Sequence, residues 1–211
     1  MDKPAIFWYI YIIMVKSEEE RISMAKNEKL EALNRDELIR LIEIYSKNWL
    51  AMDGVWFQSV ERKYGMDEAM YHDAEAWKIF TVVEARRIKQ FLRLPDRAGL
   101  EGLAEALSLR FYANINQDEI AIKDNALTYR TLECRVQSAR SRKQMAFHPC
   151  KAVGLIEYSE FARVIDDRIV CSCLSCYPDV TDDSCCCAWR FVLRDEARPF
   201  SGMTAESGAI R

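Results

Sequence analysis

Two runs near the C-terminus, Arg168-Ile-Val-Cys-Ser-Cys-Leu-Ser-Cys176 and Cys185-Cys-Cys-Ala-Trp-Arg-Phe-Val-Leu193, decide how this chain is read. Arg168 to Cys173 and Ala188 to Leu193 have the apolar, β-branched and aromatic character of strands. Strand parity puts Ile169, Cys171 and Cys173 on one face, and Cys187, Trp189, Phe191 and Leu193 on another. If those faces turn inward, Cys173 and Cys187 meet in a common interior. Cys185 and Cys186 then fall in the preceding loop, less constrained.

Working outward, Pro149-Cys150 precedes Val153, Ile156, Phe161 and Val164, whose spacing predicts a short amphipathic helix led by Cys150. Before it, Glu119 to Lys123 alternates, Asp124-Asn125 signals a turn, and Leu127 to Val136 alternates again, so the two runs read as a hairpin. Extending that strand to Val136 gives Leu132, Cys134 and Val136 one face and turns Cys134 inward. Residues 114–193 thus form a Cys-rich α+β region.

The first half, residues 24–113, reads as helical. Asn34 and Glu37 form a capping box. Leu38, Leu41, Ile42, Tyr45 and Trp49 follow at helical spacing, Asp53-Gly54 interrupts, and Gly65 ends the continuation. A longer helix runs from about Asp67 to Leu94, stopping at Pro95, with Met70, Ala74, Trp77, Phe80, Ile88 and Phe91 as its buried stripe. A fourth carries Leu100, Leu103, Leu107 and Phe111. The fold class is therefore α+β: a helical N-terminal half packed with a small antiparallel sheet and a Cys-led helix at the C-terminus.

Both ends stand apart. Pro4 to Val15 is apolar but shorter than the roughly 20 residues a membrane span needs, and no small-residue cleavage site follows. Residues 1–23 are read as a doubtful extension, with Met24 as a candidate true start. Residues 194–211 are polar with Pro, Gly and Ser, which predicts a disordered tail.

A chain of 211 residues, half of them hydrophobic, can bury a sizeable core. Its net charge of −3 gives no general electrostatic case for nucleic acid. Arg135, Arg140 and Arg142 could hold an anionic ligand, although solvated arginines are the commoner case. No phosphate-binding glycine loop, Gly-x-Ser-x-Gly or His-Glu-x-x-His occurs. The expected partner is a small molecule, with neither nucleic acid nor membrane, and the oligomeric state is open.

Eight cysteines, six of them between Cys171 and Cys187, mark where the chemistry lies. Their crowding differs from a secreted disulfide framework and points to a cytoplasmic protein using thiols for metal binding or reaction. Cys173-Leu-Ser-Cys176 has the spacing for two thiolates to share one metal. Cys150 and Cys187 would complete four ligands, with Cys134 in reserve. Zinc is the first expectation and an iron–sulfur cluster the second. Alternatively, Cys150 at a helix N-terminus has the position of a thiolate nucleophile. His148 is expected to point away from it across Pro149, and His72 to be a surface or packing residue. Asp166, Asp167 and Asp179 could supply a carboxylate but read as turn formers. Asp53-Gly54 beside Trp49, Trp56 and Phe57 could line a pocket. A third possibility is a redox sensor closing a Cys173–Cys176 disulfide.

Cys134-Arg-Val-Gln137, Phe147-His-Pro-Cys-Lys151, Gly154, Tyr158, Phe161-Ala162, Ile165 to Ile169, Cys173 to Asp179 and Cys187-Ala-Trp189 together resemble a bacterial family of cytosolic proteins built on a domain of unknown function. Trp49, Asp53-Gly54 and Trp56-Phe57 extend the match. The resemblance implies that Cys134, Cys150, Cys173, Cys176 and Cys187 are the family's cysteines, and that Cys171, Cys185 and Cys186 are additions. Tyr177 departs from the family's Cys-Pro-Pro-Asp. The arrangement is distantly similar to aminothiazoline-carboxylate hydrolases and to vinyl-reductase-type small-molecule-binding domains. This implies either a cysteine-dependent hydrolase of a small cyclic amide or thiazoline, or a binding protein, and the likeness is one of fold.

Overall fold

The computed structural model describes residues 27–195. The doubtful extension and the polar tail from Glu196 lie outside them. The chain separates into a unit ending at Leu41 and a unit from Ile42 onward.

In the first unit, Asn27 caps the single-turn helix α1 (Glu28–Glu31) by accepting from Leu30 N at 3.1 Å. The capping box forms as its residue types require: Glu37 N donates to Asn34 Oδ1 and Asn34 N to Glu37 Oε2, at 3.0 and 2.9 Å. It opens α2 (Arg35–Tyr64), which runs unbroken through Asp53-Gly54. The sequence reading expected a break there. One glycine costs a helix about 1 kcal/mol, too little to stop thirty residues.

In the second unit, Gly65 at φ 93° separates α2 from α3 (Met66–Leu92). The buried stripe of α3 is Ala69, Asp73, Trp77, Thr81, Glu84 and Ala85. Phe91, expected inside, is 78 % exposed. An apolar count misplaces the stripe because it skips Asp73 and Glu84, two carboxylates that are buried with cationic partners. Glu84 binds Arg110 Nε at 2.9 Å, and the same guanidinium reaches Glu157 at 2.6 Å. Helix α4 (Gly99–Ser108) and a 3-10 turn (Phe111–Asn114) complete the helical part.

Strands β1 (Gln117–Lys123) and β2 (Ala126–Glu133) form the expected hairpin, with Asp124 and Asn125 at positive φ in the turn. β2 stops three residues short of Val136, and Arg135–Arg142 forms a helix, α5, that the sequence reading did not anticipate. Helix α6 (Lys151–Ile165) follows, then β3 (Ile169–Cys176) and β4 (Cys187–Leu193). All four strands lie in one antiparallel sheet of order β1-β2-β4-β3. Helix α6 packs on both α3 and β3. The core joins Leu103 and Leu107, Leu127 and Tyr129, Phe161 and Ile165, and Trp189 and Phe191. The fold is α+β, with a helical N-terminal half and a C-terminal half that holds the sheet together with α5 and α6.

Candidate functional site

Residues paired directly across two strands share a sheet face. Cys171 pairs with Phe191 and Cys173 with Trp189, as parity requires. A bulge at Leu174 then changes the count: Ser175 pairs with Ala188, and Cys176 with Cys187. Strict alternation would have turned Cys176 to the opposite side. The bulge returns it to the face of Cys187. On β2 the inward set is Leu127, Tyr129 and Thr131, opposite Phe191, Trp189 and Cys187. Cys134 is beyond β2 and is the N-cap residue of α5.

Above this corner of the sheet lies a cavity of about 380 Å3, walled by Phe57, Trp77, Tyr112, Tyr158 and Trp189. Four of the five predicted ligands line it: Cys134, Cys150, Cys176 and Cys187. Cys173 does not, and lies half-buried at the edge of the core. Asp53, Gly54 and Phe57 also line the cavity, as do Arg135, Arg140 and Arg142. Arg140 is committed elsewhere, its guanidinium gripping both carboxylate oxygens of Glu61 at 2.7 and 2.9 Å. Asp166, Asp167 and Asp179 hold Arg168, Arg97 and Lys151 instead. His72 pairs with Glu68 one turn back on α3, as a surface residue would. Cys185 is buried, and the Cys186 N–H donates to Thr131 O at 2.7 Å, so this loop is more constrained than expected.

Cys150 is the N-cap of α6, where the helix dipole favours an anion. Its Sγ lies 3.5 Å from Cys176 Sγ and 3.6 Å from Gln137 Nε2. Gln137 on α5 also clamps the peptide of His148, donating to its carbonyl at 2.8 Å and accepting from its N–H at 3.1 Å. His148 Nε2 in turn meets Asp73 Oδ2 at 3.2 Å, and the imidazole ring tilts over Phe57 with 4.7 Å between centroids. The imidazole and the Cys150 thiol line the same cavity, against the expectation set by Pro149, and His148 Nδ1 is buried there without a hydrogen-bond partner among the described residues. Three elements fix this geometry, and only the loop was visible in the sequence as a chemical motif.

The electrostatics follow. The hydrogen bond from Cys176 and the His148 imidazole lower the Cys150 pKa to about 5, against the opposing effect of burial. Burial works against the His148 cation, but the Asp73 carboxylate and the nearby Cys150 thiolate outweigh it and raise the pKa to about 9. Cys176 is pushed strongly up because its thiol bonds both Cys150 and Cys187. Cys187 is lowered by Cys176, with Trp189 and Thr131 assisting. Burial drives Cys134 up to about 12. Asp53 rises to about 6 through burial and the charge of Asp73. The site thus favours a Cys150 thiolate beside a His148 imidazolium braced by Asp73.

Two thiolates on one tetrahedral zinc lie about 3.7 Å apart, which the Cys150–Cys176 separation approaches. Among the described residues, however, no three His, Cys, Asp or Glu side chains converge as a metal site requires. Nor is any described helix long and apolar enough to cross a membrane.

The fold and site define an α+β protein with a thiol-lined, aromatic-walled cavity. The chain belongs to a family of unknown function (DUF6125), whose model matches residues 29–193. No curated protein matches it.

Proposed function

We propose that this is a cysteine-dependent enzyme that hydrolyses a small amide-like molecule, with Cys150 as nucleophile. The observation that carries the reading is the linked trio of Cys150, His148 and Asp73 inside one cavity. A nucleophile, a base within reach and a third group orienting the base are what covalent catalysis asks of a fold. The thiolate adds to the electrophilic carbon, and His148 gives its proton to the leaving nitrogen. Neutral His148 then takes a proton from water, whose oxygen displaces the thiolate. Asp73 keeps the imidazole oriented through both steps. Gln137 fixes the loop and aims its amide N–H at the reacting sulfur. A cavity of this size suits a small ligand. The resemblance to aminothiazoline-carboxylate hydrolases points the same way.

Alkylation by iodoacetamide at pH 6, read by peptide mass, tests the reading. Cys150 should react at least tenfold faster than the other accessible thiols. Uniform slow alkylation would end this assignment.

The second reading is a cytoplasmic zinc- or iron–sulfur-binding protein using Cys150, Cys173, Cys176 and Cys187. The 3.5 Å Cys150–Cys176 separation favours it. Metal content of anaerobically purified protein decides: about one zinc per chain with four protected thiols would establish this reading and remove the first.

A further inference from the structure

Cys176 takes no covalent part in the hydrolysis described above, yet its sulfur lies against the nucleophile. We infer that Cys150 and Cys176 are a reversible modification site, oxidised by hydroperoxide to a disulfide that switches the nucleophile off. The inference rests on Cys150 being the reactive thiol of the proposed enzyme.

The backbone already holds the two sulfurs in place. Lys151 N, next to Cys150, donates to the carbonyl of Tyr177, next to Cys176, at 3.1 Å. Lys151 Nζ binds Asp179 Oδ2 at 2.7 Å, and Cys176 N donates to Asp179 O at 3.3 Å. The segment after β3 is thereby tied to the first turn of α6. From 3.5 Å, the sulfurs need to approach by only about 1.5 Å to reach bonding distance. Cys150 is half-buried in a cavity, so a small oxidant can reach it. Cys173, the partner suggested by spacing, pairs with Trp189 and lies off the cavity wall. The bulge at Leu174 is what hands the role to Cys176's contact with Cys150.

The chemistry balances with a hydroperoxide as oxidant. The Cys150 thiolate attacks one peroxide oxygen, the O–O bond breaks, and hydroxide leaves, giving the sulfenic acid. The Cys176 sulfur then attacks the Cys150 sulfur, the S–O bond breaks, and water leaves carrying the Cys176 proton. A dithiol reductant returns both thiols by exchange, itself becoming a disulfide.

The test uses the full chain and hydrogen peroxide. Before oxidant, iodoacetamide should single out Cys150. After stoichiometric peroxide, that labelling should vanish, the mass should fall by about 2 Da, and peptide mapping should join Cys150 to Cys176. Dithiothreitol should restore the labelling. Cys187→Ser should behave as the wild type. Cys176→Ser keeps a hydroxyl beside the Cys150 sulfur, so Cys150 should remain the fastest-labelled thiol, but under excess peroxide it should pass to sulfinic acid, beyond recovery by dithiothreitol. A disulfide mapped to Cys176–Cys187, or full recovery of Cys176→Ser, overturns the inference while leaving the enzyme reading intact. Absence of selective labelling before peroxide overturns both.

Discussion

Asp73 on α3 holds His148 at 3.2 Å, so a carboxylate in the middle of a long helix braces the base beside a thiol on another helix. Asp73→Asn removes the charge and keeps the shape. The His148 pKa should fall from about 9 and the thiolate of Cys150 should lose its counter-ion. Alkylation of Cys150 at pH 6 should slow by about tenfold or more. The stability that His148 gains from Asp73 is fully present below about pH 6.5 and is lost as pH rises through about 9. Denaturant titrations should therefore show the variant's deficit at pH 6 and little deficit at pH 10.

The pH profile of the wild type is a second check. Alkylation of Cys150 should hold its rate from pH 8 down to 6 and drop through about 5. His148→Asn should move that drop upward toward the ordinary thiol range. A rate in the variant that tracks the wild type would show that the imidazole does not act on the sulfur.

Gln137 joins α5 to the His148-Pro149-Cys150 loop through three contacts. Gln137→Leu deletes hydrogen bonds to both backbone groups of His148 and should cost about 1–3 kcal/mol in denaturant unfolding. Cys150 alkylation should slow along with it. Gln137→Glu keeps an acceptor for the His148 N–H but places an anion near the thiolate, so it should slow alkylation more than it lowers stability.

Asp53 lines the cavity with a pKa raised to about 6 by burial and by Asp73. A carboxyl whose folded pKa exceeds its unfolded value favours the fold at low pH, and that contribution fades as pH rises through about 6. Asp53→Asn should then stabilise the protein at pH 7 by about 1–2 kcal/mol and flatten the pH dependence of its midpoint. A loss of stability would instead show that the carboxylate has an attractive role.

Gly154 on α6 faces the Trp189 ring, and a Cβ there would stand 2.6 Å from Cζ2. Gly154→Ala should therefore destabilise by about 1–3 kcal/mol despite alanine's better helix propensity. It should also shift Trp189 fluorescence, since the indole forms part of the cavity wall.

Much of this architecture was legible because it depends on short-range chemistry. Asn34 and Glu37 are three residues apart and need no other partner to cap a helix. Asp124-Asn125 sets the hairpin turn by its own tolerance of positive φ. Cys150 could be placed at a helix start from the apolar spacing that follows it. Asp73, by contrast, looked like one more polar residue on a helix. Its burial is tolerable only because His148, from a loop distant in sequence, supplies a cation. Gln137 was hidden in a stretch read as the end of a strand. No local signal announced that α5 would replace it.

What the sequence determined by itself was the α+β class, the Asn34 cap, the hairpin turn at Asp124-Asn125, the helix that Cys150 leads, and the concentration of thiols in the C-terminal half. Those follow from periodicity, capping and turn propensity within a few residues. Which thiols meet was decided by the tertiary structure. A single extra residue at Leu174 turns Cys176 toward Cys187 and Cys150. The tie between Lys151 and Tyr177 then fixes the distance. A bulge shifts every later side chain to the opposite face, and its position depends on the partner strand, so parity counted along one chain cannot supply it.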